Sequence, residues 1–146
     1  MADFALNKLE IIGNESQVNE VKSFLRGNPF KDGSEQCIDF NKIVPMPPEI
    51  EVEEIFGWRL DNWGVSWNVC DQWIELPNTI IFTTILSPVL ELMKKLSVQF
   101  PSVEFIYGFD YPDVIESTWD SYSIKNGVEV LIGQYDGEDC PPIFSN

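Results

Sequence analysis

The chain has 146 residues, with 24 acidic and 9 basic side chains, no histidine and a formal net charge of −15. That balance argues against direct nucleic-acid binding and against docking on anionic membranes, which both need clustered Lys and Arg. At 44% hydrophobic and 13% aromatic the chain is too apolar for disorder, and without histidine it lacks the commonest general base, the usual catalytic triads and the commonest zinc ligand.

In chain order, Phe4 to Ile12 reads as a first strand ending at Gly13. Asn14 and Gln17 stand at capping-box spacing. Val18, Val21, Phe24 and Leu25 then recur with helical period, and Gly27-Asn28-Pro29 stops the helix. Residues 30–64 read as a long ordered loop: Pro45, Pro47 and Pro48 impose an extended path, and only Glu51 to Ile55 suggests a short helix. A strand is expected from Trp67 to Ile74, then a turn at Leu76-Pro77-Asn78 and a central strand over residues 79–86, which are β-branched and apolar. Ser87 and Pro88 predict a helix start, as N-cap and first helical residue. Phe100-Pro101 ends that helix, and Val103, Phe105 and Tyr107 mark a fourth strand. Residues 119–124 and 128–135 form a last hairpin around Asn126-Gly127, followed by an acidic tail from Asp136. The order β-α-β-β-α-β predicts an α+β fold, a ferredoxin-like antiparallel sheet with two helices on one face. The last hairpin is placed to extend or cover that sheet. The whole chain is expected to be one domain, with 30–64 as a loop insertion and 111–146 as an acidic hairpin and tail.

The stretch Ile38-Asp39-Phe40-Asn41-Lys42-Ile43-Val44-Pro45-Met46-Pro47, with Asn62-Trp63-Gly64-Val65-Ser66-Trp67-Asn68, resembles the YubB-type, Api-like ferredoxin-like domain proteins carried by phages and plasmids. Asn7, Leu9, Ile11 and Gly13 are similar to that family's opening strand. Phe82, Thr84, Ser87 and Pro88 match its next motif, and Leu96-Ser97 with Phe100-Pro101 match the end of its second helix. The resemblance covers roughly residues 3 to 110. Val65-Ser66 stands where the family has Thr-Lys, and Leu86 where it has Trp. The resemblance implies the fold and a mobile-element origin, and no named activity.

No catalytic, cofactor-binding or metal-binding set emerges. Cys37, Cys70 and Cys140 are odd in number and widely spaced, which suits reduced thiols in a bacterial cytoplasm. Cys70 has no histidine to activate it. Residues 1–4 lack the basic segment and apolar run of a signal peptide. The apolar-rich stretch 80–92 falls short of the roughly 20 residues of a membrane span. The acids match no calcium-loop spacing.

What remains is a partner surface. Asp110, Asp113, Glu116 and Asp120 form one acidic run, and Asp136, Glu138 and Asp139 a second. Residues 101–146 hold nine acids and one base, a local charge of −8. The C-terminal acids are the first expected partner site; Glu51, Glu53 and Glu54 come next as a third patch, and Trp58 lies in its neighbourhood. Each acidic run is read either as a solvated face or as a docking surface for a basic protein. The sequence therefore suggests a non-enzymatic acidic protein of a phage or mobile element, with carboxylates mimicking nucleic-acid phosphates. Its target would be a basic host protein, such as a nucleic-acid-handling defence complex, inhibited in the anti-CRISPR manner. The alternatives are a protein-binding or self-associating module built on the Trp/Pro-rich loop, and a metal-dependent hydrolase.

Overall fold

The computed structural model describes residues 4–111 and 118–136. The elements are β1 (Phe4–Ile12), α1 (Glu15–Leu25), α2 (Phe40–Ile43), α3 (Val52–Trp63), β2 (Gln72–Leu76), β3 (Thr79–Ile85), α4 (Leu90–Gln99), β4 (Glu104–Asp110), β5 (Thr118–Lys125) and β6 (Val128–Asp136). The strands form one six-stranded sheet in the order β2-β3-β1-β4-β5-β6, and every neighbouring pair is antiparallel.

Alternation along β1 decides which side the helices cover. Ala5, Asn7, Leu9 and Ile11 are buried while Leu6, Lys8 and Glu10 are not, because successive strand residues face opposite sides. Leu9 lies opposite Ile80 and Tyr107, and Ile11 opposite Phe105. These residues join Val18, Val21 and Leu25 of α1 and Leu92, Met93 and Leu96 of α4 in one core. Burying each such side chain stabilises by roughly 1.5–3 kcal/mol relative to leaving it exposed. The capping box at α1 forms as its spacing predicts: Gln17 N donates to Asn14 Oδ1 at 2.8 Å, and Asn14 N to Gln17 Oε1 at 2.9 Å.

One polar cluster is built into this core. Asn7 Nδ2 donates to Phe82 O and Thr84 Oγ1, and the Tyr107 hydroxyl donates to Asn7 Oδ1 while accepting from Val89 N at 2.8 Å. Burial raises the Tyr107 phenol far above its ordinary pKa, so it stays a neutral donor that ties β4 to the entry of α4.

Three expectations change. Residues 30–64 are not all loop, because α2 and the three-turn α3 form within them. The helical period of α3 is blurred in sequence, since Val52, Phe56 and Leu60 are apolar on its outer side as well. The strand expected from Trp67 begins only at Gln72. Asn68 and Arg59 hold the preceding residues against α2 and α3 instead. Ser87-Pro88 does not open α4, which starts at Leu90 with no side-chain cap. Ser87 N donates to Ile85 O and Thr84 Oγ1 donates to Ser87 O, a tight turn that follows Leu86 at φ 66°. Trp67 is exposed, with its ring against the Arg59 guanidinium.

The last hairpin extends the sheet, pairing β5 with β4 from Phe105–Ile124 to Phe109–Asp120. Asn126 (φ 48°) and Gly127 (φ 80°) form its turn, the positive-φ pair that Asn-Gly supplies. Gly127 N donates to Ser97 Oγ and Glu129 pairs with Lys94 at 3.0 Å, so the hairpin end leans on α4.

Candidate functional site

The segment between α1 and β2 is held down by side chains rather than by ladder bonds. Asp39 Oδ1 caps α2 by accepting from Asn41 N (2.9 Å), and also accepts from Asn68 Nδ2 (2.8 Å). Asn68 Oδ1 accepts from Phe40 N (3.1 Å) and Val69 N (2.8 Å). Asn41 Oδ1 accepts from Met46 N, Gln72 Oε1 from Ile38 N, and Trp63 Nε1 donates to Val44 O at 2.9 Å. Buried backbone groups outside regular structure need partners. Here Asp39, Asn41, Trp63 and Asn68 supply them, so these motif residues build the fold and face inward.

Their effect is to seat α3. Trp63 is 1% exposed and meets Phe40 edge-on. Trp58 is half-buried and meets Trp63 edge-on at 5.5 Å. The Arg59 guanidinium sits 5.8 Å from the Trp63 ring and 4.8 Å from the Trp67 ring, and Nη1 donates to Ser66 O. Its charge is thereby engaged with two indole faces. Gly64 closes the helix in the left-handed conformation at φ 81°.

Over its first two turns α3 carries an exposed apolar stripe, on the arc that Trp63 continues into the core. Val52 (81% exposed), Phe56 (63%) and Leu60 (42%) recur at i, i+4 and i+8, and Trp67 (58%) lies beyond Arg59. At 3.6 residues per turn the three helix residues span an arc of about 80°. Glu53 borders the stripe, and Glu54 and Asp61 lie further round the same exposed side. Glu49 and Glu51 precede the helix, also exposed. A Cβ on Gly57 would meet nothing within 4 Å, so the helix surface at that position is open. Among the described residues the ion pairs within 4 Å are both made by Lys94. Glu51, Glu53 and Glu54 are not in them. Acids in a first helical turn also complement the dipole of α3, which explains their position without a partner.

The structure thus brings Glu51, Glu53, Glu54 and Trp58 onto one element, with Trp58 inward and the glutamates outward. The C-terminal acids fare differently. Asp110 ends β4 opposite Leu6, and its carboxylate accepts from Tyr111 N. Asp120 lies opposite Phe109, on the helix-covered side, so the two aspartates belong to opposite faces of the sheet. Burial, then the charge of Asp120, raises the phenols of Tyr111 and Tyr122. Asp120 thus sits beside an aromatic cluster in which Phe109 contacts both tyrosines. Asp136 ends β6. Asp113, Glu116, Glu138 and Asp139 lie outside the described residues.

Two further places hold reactive or polar side chains. A groove of about 590 Å³ is lined by Phe30, Lys31, Asp32, Glu35, Cys70 and Gln72, with walls of mixed charge. Burial raises the thiols of both Cys37 and Cys70, which is the wrong direction for a nucleophile. Among the described residues, no three His, Cys, Asp or Glu side chains gather to hold a metal. None of the helices there is long and apolar enough to cross a membrane. Phe56, Leu60 and Arg59 are not singled out by the sequence reading. Their signal was the i, i+4, i+8 repeat following a cluster of acids.

No family model matches the chain, and no curated protein matches it. Among solved structures it is similar to the crystal structure of a protein api92 from Yersinia pseudotuberculosis, of family DUF1281. The TM-score is 0.64 at 11% identity, over 92% of this chain and 98% of that one. At that identity the likeness is one of fold: a mixed α+β protein built on an antiparallel sheet.

Proposed function

We propose that this protein is a non-enzymatic interaction protein that engages a basic protein through the acidic segment leading into and along α3. The observation that carries the reading is the outer side of α3, where Glu51, Glu53 and Glu54 stand exposed beside uncovered apolar side chains. Charge of one sign beside apolar area favours fast encounter with a basic surface and then retention. The net charge of −15 acts in the same direction. We further read the chain as a YubB/Api-like protein of ferredoxin-like topology. Support for this is the order β2-β3-β1-β4 around α1 and α4, together with the likeness to the api92 protein. A phage or plasmid origin, and a target that normally handles nucleic acid, belong to the same proposal.

Affinity capture from bacterial lysate at low and high salt tests it. A specific partner should be retained at low salt and released at high salt. Glu51→Gln, Glu53→Gln and Glu54→Gln together should lose that partner, while Asp110→Asn with Asp120→Asn should keep it. Retention that ignores salt, or equal loss in both variants, refutes the assignment to α3.

A further inference from the structure

Resting on that reading, we propose that the element received by α3 is a basic amphipathic helix of the partner, laid along the stripe Val52, Phe56 and Leu60. Three observations narrow the occupant. The stripe is one side chain wide and winds through about 80° over two turns, as i, i+4 and i+8 dictate. That shape is complementary to the apolar face of another helix, which presents anchors at the same repeat.

The border of the stripe selects charge. Glu53 flanks it on one side, Asp61 and Glu54 lie further round the helix on that side, and Glu49 and Glu51 stand before its N-terminal end, all exposed. The nearest cation, Arg59, is held between the rings of Trp63 and Trp67. Another, Lys95, donates to Asn62 O at the end of α3. A helix with Lys or Arg flanking its apolar residues places cations against these carboxylates at the rim, where such pairs set orientation and on-rate.

The same border disfavours two other occupants. A second copy would bring each chain's five acids against the other's, on bodies of −15 apiece, and like charges across a contact cost affinity. An anionic lipid surface would meet acids where membrane-lying helices carry Lys and Arg.

The test uses the full chain and two synthetic Leu/Lys peptides of about 18 residues, labelled for fluorescence anisotropy. In the ordered peptide Leu recurs at i, i+3, i+4 and i+7. The scrambled peptide has the same composition without an apolar face. Both are titrated at low and high salt against the natural chain and against F56S/L60S, whose fold is checked by its melting temperature. Should Leu60→Ser unfold the chain, V52S/F56S, at the two most exposed positions, takes its place. The ordered peptide is expected to bind at least about tenfold more tightly than the scrambled one, and the variant should erase that difference. Equal affinities, both abolished by salt, overturn the helix inference and leave the charge reading standing. No binding of either peptide at low salt overturns both. A concentration-dependent dimer that the variant abolishes overturns the inference in favour of a second copy. Binding to neutral or anionic vesicles in place of the peptide overturns it in favour of a lipid surface.

Discussion

Asn68→Ala removes one side chain that serves three groups at once. Its oxygen accepts from Phe40 N at 3.1 Å and Val69 N at 2.8 Å, and its nitrogen donates to Asp39 Oδ1 at 2.8 Å. Alanine offers none of these, and Phe40 lies fully buried at the start of α2, so water reaches its N–H poorly. A net hydrogen bond is worth about 1 kcal/mol, and an orphaned buried donor costs about 1–3 kcal/mol. Asp39 keeps its bond from Asn41 N, which limits the loss. The expected cost is about 2–3 kcal/mol in all, a melting-temperature drop of about 5–10 °C for a chain of this size. Denaturation in urea should show a lower midpoint at unchanged slope. Native-state hydrogen exchange should show faster exchange at Phe40–Ile43 and through α3 than in β1 and β4. A drop under about 2 °C would refute the claim that this side chain holds the segment down. A large drop with uniform exchange would refute the claim that its effect is local.

Other outcomes follow from the same structure. The Tyr107 phenol is raised by burial: its folded pKa lies above the unfolded value of about 10, so its stabilisation is complete below that value and is lost as pH rises past it. Tyr111 and Tyr122 shift in the same direction. Stability measured by urea titration should therefore fall with rising pH above about 10, and Tyr107→Phe should flatten part of that slope. At neutral pH the same substitution should cost about 1–3 kcal/mol, because Asn7 and Val89 lose a buried partner. Gly57→Ala should raise stability by about 0.5–1 kcal/mol, since glycine is costly inside a helix and a Cβ there meets nothing within 4 Å. A lower melting temperature would mean that the outer side of α3 is not open.

Much of the fold was legible because its signals are local. The Asn14–Gln17 box, the alternation of β1, the apolar run of β3 and the Asn126-Gly127 turn each state their structure within about ten residues, the range over which capping and side-chain period act. The segment 37–70 was misread because its bonds are not local: Asn68 reaches Asp39, Gln72 reaches Ile38, and Trp63 reaches Val44. Nothing in the spacing of these residues announces those pairings. The turn at Ser87 was misread for a related reason. Ser-Pro is a good helix start, and here Thr84 and Tyr107, from two different strands, take the bonds on either side of it.

The candidate surface divides the same way. Composition alone determines that the chain is acidic and lacks histidine. It does not determine where the acids stand. The register of β4 and β5 sends Asp110 and Asp120 to opposite faces, whereas α3 sets Glu53 beside the stripe and Glu54 further round its exposed surface. Charge is a sum over the chain and survives any folding. A surface is a set of neighbours, and here the neighbours were chosen by the internal bonds of Asn68 and Trp63, which decide which side of α3 turns away from the core.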